Sequence, residues 1–198
     1  MHNYTPSNND INFPAGILQF PFFDFEADNA INYGAIGCVI GHEMTHGFDE
    51  QGRQYDAKGN LNDRWTKEGS EKFKAKSDAL AQQYDEFKIQ DSLHVNGRLT
   101  LGENLADLGG ISIAYEAFTR TQQFKEGKKI DGFIPAQCFF LSYVLPEEVA
   151  QRLFIDPHSP APARVNVPLE NIDAWYSAFD VKPGEKMYKP AGDGIRIW

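Results

Sequence analysis

VIGHEMTHGFDEQG, residues Val39 to Gly52, places two histidines four residues apart inside an apolar run. On a helix, residues at that spacing lie on one face, so the imidazoles of His42 and His46 can converge on one ion. Glu43 lies one step round the helix, where its carboxylate can take a proton from metal-bound water. Chance would produce this pattern only about 0.01 times in a chain of this composition. The stretch therefore predicts a metal-binding helix.

A metal site needs a further ligand, and two known spacings do not supply it. The zincin class with a third histidine, H-E-x-x-H-x-x-G-x-x-H, requires Gly and His where this chain has Asp49 and Gly52. Where thermolysin-like aminopeptidases carry a glutamate, this chain has Trp65. We therefore expect the remaining ligand to come from a separate helix further along the chain.

TLGENLADLGGISIAYEAF, residues Thr100 to Phe118, offers two carboxylates four residues apart, Glu103 and Asp107. One could bind the metal while the other accepts the free ring N–H of a metal-bound histidine. Carboxylates at helical spacing usually mark a solvated face, but leucines and isoleucines surround this pair, and a buried carboxylate needs a partner. The spacing leaves open which of the two is the ligand.

Glycines recur on both predicted metal-bearing helices, at Gly34, Gly37 and Gly41 and at Gly109-Gly110. Each costs a helix roughly 1 kcal/mol relative to alanine. Close contact between two helix backbones would justify this cost, and Glu103 needs such contact to reach the ion. The alternative, that these glycines mark loops, is less favoured.

Composition sets the broad class of the protein. With 198 residues, 41% of them hydrophobic and 24% charged, the chain has the make-up of a soluble globular domain. A net charge of −9 argues against nucleic acid as a partner, because phosphate binding needs a basic face. Two cysteines are too few for a disulfide scaffold. We expect no secretory signal and no membrane segment, since the longest apolar run, FPAGILQFPFF, is short and broken by prolines.

Periodicity predicts a helix-dominated fold with little strand. Turn residues predict a loop over 51–62, and four prolines predict a stiff loop over 156–168. The helices are predicted at 31–48, 65–87, 101–124, 134–154 with a bend at Pro146, and 169–179.

A resemblance emerges when the two metal-bearing stretches are read with DPHSPAPARVNVPLENIDAWYSAFDVKPGEKMY, residues Asp156 to Tyr188. Together they resemble the neprilysin family of zinc metallopeptidases, and FPAGILQFPFF and the terminal IRIW fit as well. The likeness covers essentially the whole chain. It implies a mainly α fold of the zincin, thermolysin-like type, in which the HExxH helix packs against a second metal-bearing helix.

The resemblance also implies a single zinc ion per chain. Its ligands would be His42, His46 and Glu103, and Asp107 would orient a ligating histidine, His42. Glu43 would be the general base.

Two further roles follow from the same likeness. His158 would donate a hydrogen bond to the developing oxyanion, and Arg164 would hold a substrate carbonyl. The implied activity is a zinc endopeptidase that cuts oligopeptides on the amino side of hydrophobic residues, by Glu43-assisted attack of zinc-bound water. Family members of this kind suggest an extracytoplasmic location.

The chain departs from the family pattern in several places. Residues 1–198 match the C-terminal part of the catalytic domain, and the family's large N-terminal helical portion is not in this sequence. Met1-His2 stands where an Asn-Ala pair grips the substrate, and Arg64 replaces a tryptophan. The segment after Tyr143 is shorter by about seven residues, or two helical turns. The missing C-terminal cysteine of animal members suggests a bacterial type.

These departures keep a second hypothesis open. The chain could be a catalytically silent zinc-binding fragment or a peptide-binding module. The intact set of predicted site residues favours the enzyme, since a decayed copy would be expected to lose some of them.

Overall fold

The computed structural model describes residues 3–63, 65–90, 93–143 and 157–197. Helices dominate this part of the chain, and its sheet structure consists of two small antiparallel hairpins. Asn3–Thr5 (β1) pairs with Asp10–Asn12 (β2), and Lys88–Gln90 (β3) pairs with Leu93–His94 (β4). The prediction of a mainly α fold with little strand is confirmed.

The α-helices of the described residues range from short single turns to two long helices of 19 residues. Their bounds are α1 Asn29–Asn32, α2 Cys38–His46, α3 Lys67–Asp85, α4 Leu101–Thr119, α5 Gln122–Glu126, α6 Pro135–Leu141, α7 Ala161–Leu169 and α8 Asp173–Phe179. A π-helical turn, Tyr33–Gly37, joins α1 to α2 and keeps the chain helical between them. None of the described helices is both long and apolar enough to cross a membrane.

Helices α2 and α4 form the most extensive contact between elements. They run antiparallel, because Gly37 lies beside Ala114 near one end of the contact and Gly41 lies beside Gly110 further along. A Cβ added at Gly41 would lie 2.7 Å from the carbonyl oxygen of Gly110, a distance at which real Cβ atoms essentially never occur. The predicted contact of two helix backbones is confirmed, and it brings the start of α4 to the end of α2.

Helix α4 lies between two hydrophobic cores and belongs to both. On one side Ile111 and Phe118 pack with Phe139 of α6, and on the other Leu105 packs with Leu80 of α3. A helix that is apolar on both sides must be buried, and most of α4 is. This burial fixes the position and the rotation of the helix that carries Glu103 and Asp107.

The predicted stiff loop over 156–168 is wrong for most of its length, because Ala161–Leu169 forms α7. Pro162 lies in the first turn, where a helix tolerates proline because the missing N–H would have no partner there. Pro168, near the other end, cannot donate to the carbonyl of Arg164. The hydroxyl of Tyr143 donates to that carbonyl instead, at 3.4 Å.

The predicted helix over 101–124 is interrupted. Helix α4 ends at Thr119, and Thr121 begins α5 by accepting a hydrogen bond on its side chain from the backbone N–H of Phe124. Threonine is a favoured residue at such a start, since its hydroxyl satisfies a backbone N–H that the helix leaves without a partner.

Some predictions fall on residues outside the described ranges. Of the helix predicted at 134–154, α6 accounts for Pro135–Leu141, whereas the bend at Pro146 lies beyond them. The shortened segment after Tyr143, the substitution at Arg64 and the contact expected at Met1-His2 also lie outside the described residues.

Candidate metal centre

The end of α2 and the start of α4 bring three potential metal ligands together. Nε2 of His42 lies 3.0 Å from Nε2 of His46 and 3.2 Å from Oε2 of Glu103, and Nε2 of His46 lies 3.7 Å from Oε1 of Glu103. Ligand atoms held about 2.1 Å from a tetrahedral zinc ion lie about 3.4 Å from one another. The three side chains therefore already have the spacing that one zinc ion requires.

The far nitrogen of each imidazole faces a carboxylate. Nδ1 of His42 lies 2.9 Å from Oδ1 of Asp107, and Nδ1 of His46 lies 2.8 Å from Oδ2 of Asp49. A carboxylate accepts hydrogen bonds, so each neutral imidazole carries its hydrogen on Nδ1 and presents the Nε2 lone pair to the site. This donor set fits a zinc ion.

Asp107 is held between His42 and Arg164. The guanidinium of Arg164 donates to it twice, from Nε at 2.8 Å and from the terminal Nη2 at 2.9 Å. Burial would raise the pKa of Asp107, but the charge of Arg164 and the hydrogen bonds from His42 and Arg164 outweigh burial and lower it. Asp107 thus stays ionised although it is almost fully buried. The predicted substrate contact of Arg164 remains a prediction.

Two of the three potential ligands have strongly shifted pKa values. Burial alone would lower the pKa of His42, but hydrogen bonds with Asp107 and Glu103 raise it to about 9. Burial would raise the pKa of Glu103, yet hydrogen bonds from His158 and His42 lower it well below its usual range. Glu103 is therefore a carboxylate at neutral pH, and a metal ion must displace a proton from His42.

His158 and Glu43 complete the set of predicted site residues. Nε2 of His158, in the turn before α7, lies 3.2 Å from Oε2 of Glu103, and about a third of its side chain is exposed. Glu43 follows His42 on α2 and is buried. The structure thus places His158 against Glu103 and Glu43 next to His42 along α2, and the roles of Glu43 and His158 stay predictions.

The sequence pattern assigns no role to Asp49, although its side chain contacts His46 directly. It is buried, and its Oδ1 accepts hydrogen bonds from the backbone N–H groups of Gln51 and Gly52 at 2.9 and 2.7 Å. These bonds fix the carboxylate, so Oδ2 is held towards His46. The signal was present in the sequence, because Asp49 follows His46 by three residues.

Comparison with known families supplies the wider context of this geometry. The model of peptidase family M13 matches residues 2–193, nearly the whole chain. The chain belongs to peptidase family M13, the neprilysin family. The resemblance read from the sequence is confirmed.

Curated relatives within this family agree with the match. Neprilysin-3 of Drosophila melanogaster and endothelin-converting enzyme 1 of Mus musculus are each 42% identical over 195 residues, which make up 93% of this chain. The matched region is 25% of each relative, so the chain spans about a quarter of the length of the curated relatives it matches.

Solved structures match the fold as well. The zinc metalloprotease Zmp1 of Mycobacterium tuberculosis, in complex with an inhibitor, superposes with a TM-score of 0.90 at 41% identity, over 100% of this chain and 32% of that chain. PepO of Lactobacillus rhamnosis gives a TM-score of 0.83 at 38% identity, over 96% of this chain and 30% of its own. Because animal and bacterial relatives are about equally similar, a bacterial type remains a prediction.

Replacing Asp49 tests how the site selects its metal-binding nitrogen. In Asp49→Asn, one amide atom can still accept from the backbone, but the other becomes an N–H that faces Nδ1 of His46. An imidazole that accepts this hydrogen bond on Nδ1 carries its hydrogen on Nε2, so metal binding at Nε2 has to break the hydrogen bond. We expect zinc affinity to fall by about 10- to 100-fold, measured by competition with a chelating dye.

The matched control is Asp85→Asn. Asp85, the last residue of α3, also accepts a backbone hydrogen bond on its side chain, from the N–H of Gly97 at 2.7 Å, and none of the side-chain hydrogen bonds described for it joins it to the candidate metal centre. The control should bind zinc like the wild type. Equal zinc affinity in Asp49→Asn and the wild type would show that Asp49 does not set the orientation of His46.

Proposed function

We propose that this chain carries the catalytic centre of a zinc-dependent endopeptidase that hydrolyses oligopeptides. The observation that supports it most is the convergence of His42, His46 and Glu103 within 4.8 Å of one another, with Glu43 beside them on α2. Membership of peptidase family M13 agrees with this function. One zinc ion per chain is part of the proposal.

Each side chain has a defined task in peptide hydrolysis. When bound, zinc supplies a Lewis acid that polarises the scissile carbonyl and makes water more acidic. Glu43 accepts a proton from the attacking water, whose oxygen bonds to the carbonyl carbon, and delivers that proton to the leaving amine as the C–N bond breaks. Nε2 of His158 donates a hydrogen bond to the oxyanion that forms.

Asp107 and Arg164 complete the centre. Asp107 holds His42 with its Nε2 turned to the metal, and Arg164 keeps Asp107 ionised through two hydrogen bonds. The side chain of Arg164 is 13% exposed, and we propose that its guanidinium also binds a substrate carbonyl. Cleavage on the amino side of hydrophobic residues is proposed from the resemblance to the family.

The wider context of the activity is also proposed. Because the chain spans about a quarter of the relatives' length, we propose that residues 1–198 act as the C-terminal part of a larger catalytic domain. An extracytoplasmic location is proposed on the same resemblance.

A second candidate function is a zinc-binding or peptide-binding module without turnover. The two candidates agree on zinc binding and differ in whether a peptide bond is cut.

The test is cleavage of quenched fluorescent peptides by the zinc-loaded protein, with cut sites mapped by mass spectrometry. One peptide carries phenylalanine at its centre, and its matched partner carries aspartate there. We expect cleavage before phenylalanine, lost on chelation and restored by zinc. Zinc binding without cleavage of either peptide would support the second candidate and reject the endopeptidase.

A further inference from the structure

A buried group of three polar side chains lies next to the metal centre. Oγ of Ser159 lies 2.8 Å from Oδ1 of Asn104 and 2.9 Å from Oγ1 of Thr100, and Nδ2 of Asn104 donates to Oγ1 of Thr100 at 2.9 Å. Exposed fractions are 4% for Ser159, 3% for Thr100 and 0% for Asn104, so water does not replace these bonds. We call this group the hydroxyl–amide triangle.

The chemistry of the three side chains accounts for the hydrogen bonds of the triangle. The amide oxygen of Asn104 can only accept, so the single hydroxyl hydrogen of Ser159 is donated to it. The hydroxyl of Thr100 lies within hydrogen-bond distance of both Oγ of Ser159, at 2.9 Å, and the carbonyl of Asn96, at 3.1 Å. The three side chains thus form a closed ring of hydrogen-bonded contacts. Such a ring fixes the direction of its side chains as well as their separation, which apolar packing does not.

Two members of the triangle are chain neighbours of the metal centre. Asn104 follows Glu103 on α4, and Ser159 follows His158 in the turn before α7. Nε2 of His158 and Oε2 of Glu103 are themselves 3.2 Å apart. The triangle therefore joins the backbone of α4 to the backbone of the turn that carries His158. On each side this link lies one residue away from the contact between Glu103 and His158.

We propose that Thr100, Asn104 and Ser159 are positioning residues that hold the imidazole of His158 in place beside Glu103. This inference rests on the proposed function, in which His158 stabilises the oxyanion. A hydrogen-bond donor that acts mainly in the transition state affects kcat more than KM. Loss of the triangle lowers kcat, whereas zinc binding, which uses α2 and α4, is retained.

Thr100 offers a matched pair of substitutions. Thr100→Val keeps the shape and removes the hydroxyl, and Thr100→Ser keeps the hydroxyl. We expect Thr100→Val and Ser159→Ala to lower kcat by about tenfold at nearly unchanged KM, because small displacements of a catalytic group have effects of this size. Thr100→Ser should restore most of kcat. Ser177→Ala, at an exposed serine of α8, is the control and should match the wild type.

A double-mutant cycle separates positioning from a general loss of stability. In a His158→Ala background, Ser159→Ala should lower kcat no further, because there is no imidazole left to hold. An additional tenfold loss in that background would overturn the proposal. Equal kcat in the wild type, Ser159→Ala and Thr100→Val would overturn it too.

A second readout does not depend on turnover. In the zinc-loaded protein, the Cε1–H NMR signal of His158, assigned by its loss in His158→Ala, should shift and broaden in Ser159→Ala and Thr100→Val. An unchanged signal would contradict positioning even if the protein cuts no peptide. Absence of cleavage by the wild type, with a shifted signal in the variants, would reject the endopeptidase and retain the positioning role.

Discussion

Glu43→Gln is expected to lower kcat by about a thousandfold while the protein still binds zinc, because the amide cannot accept the proton of the attacking water. The substitution keeps the size of a buried side chain, so the helix that carries His42 and His46 should be unchanged. The measurement is steady-state cleavage of the phenylalanine peptide, with zinc content determined on the same samples.

Glu68→Gln is the matched control for this experiment. Glu68 lies on the exposed face of α3, where it pairs with Lys72, and its side chain is 76% exposed. Replacing Glu68 with glutamine should leave kcat and zinc content at wild-type values. If Glu43→Gln kept kcat within about tenfold of the wild type, another group would have to be the base.

Gly110→Ala is expected to destabilise the protein by about 2 kcal/mol, although alanine favours helix more than glycine does. The added Cβ would lie 2.7 Å from both the carbonyl oxygen of Cys38 and the backbone nitrogen of His42. These are backbone atoms, so α2 and α4 must move apart. For a chain of this size, the Tm should fall by about 4–8 °C, measured by thermal unfolding followed by circular dichroism.

The same movement should weaken zinc binding, because Glu103 reaches the two histidines only through this helix contact. Gly16→Ala is the control, since a Cβ at Gly16 meets no atom within 4 Å. Its Tm should stay within about 1 °C of the wild type. If Gly110→Ala had the Tm and the zinc affinity of the wild type, the close approach of α2 and α4 would not be needed for stability or for zinc binding.

The two metal-bearing helices were predictable because several independent signals agree there. The four-residue spacing of His42 and His46, the paired carboxylates on the second helix and the glycines on both helices each require that the two elements meet. Which carboxylate faces the metal was not decided by spacing. It depends on the rotation of α4 about its axis, and that rotation is set by the cores on both of its sides.

Other parts of the site depend on contacts that no local pattern shows. Asp49 contacts His46 because the turn after α2 folds back, and the hydroxyl–amide triangle joins residues more than 50 positions apart. The sequence predicts a loop where α7 lies, because closely spaced prolines generally disfavour helix. Their positions, Pro162 in the first turn and Pro168 near the end, allow one.

We expect the imidazoles from α2 and the carboxylate of Glu103 to bind one metal ion together. The most direct measurement is zinc content of the purified protein and of Glu103→Ala after dialysis, with Glu116→Ala as control, since Glu116 lies exposed on the same helix α4. We expect about one zinc per chain in the wild type and the control, and far less than one in Glu103→Ala, because a catalytic site uses three protein ligands. Glu103→Ala that kept wild-type zinc content and affinity would contradict the account.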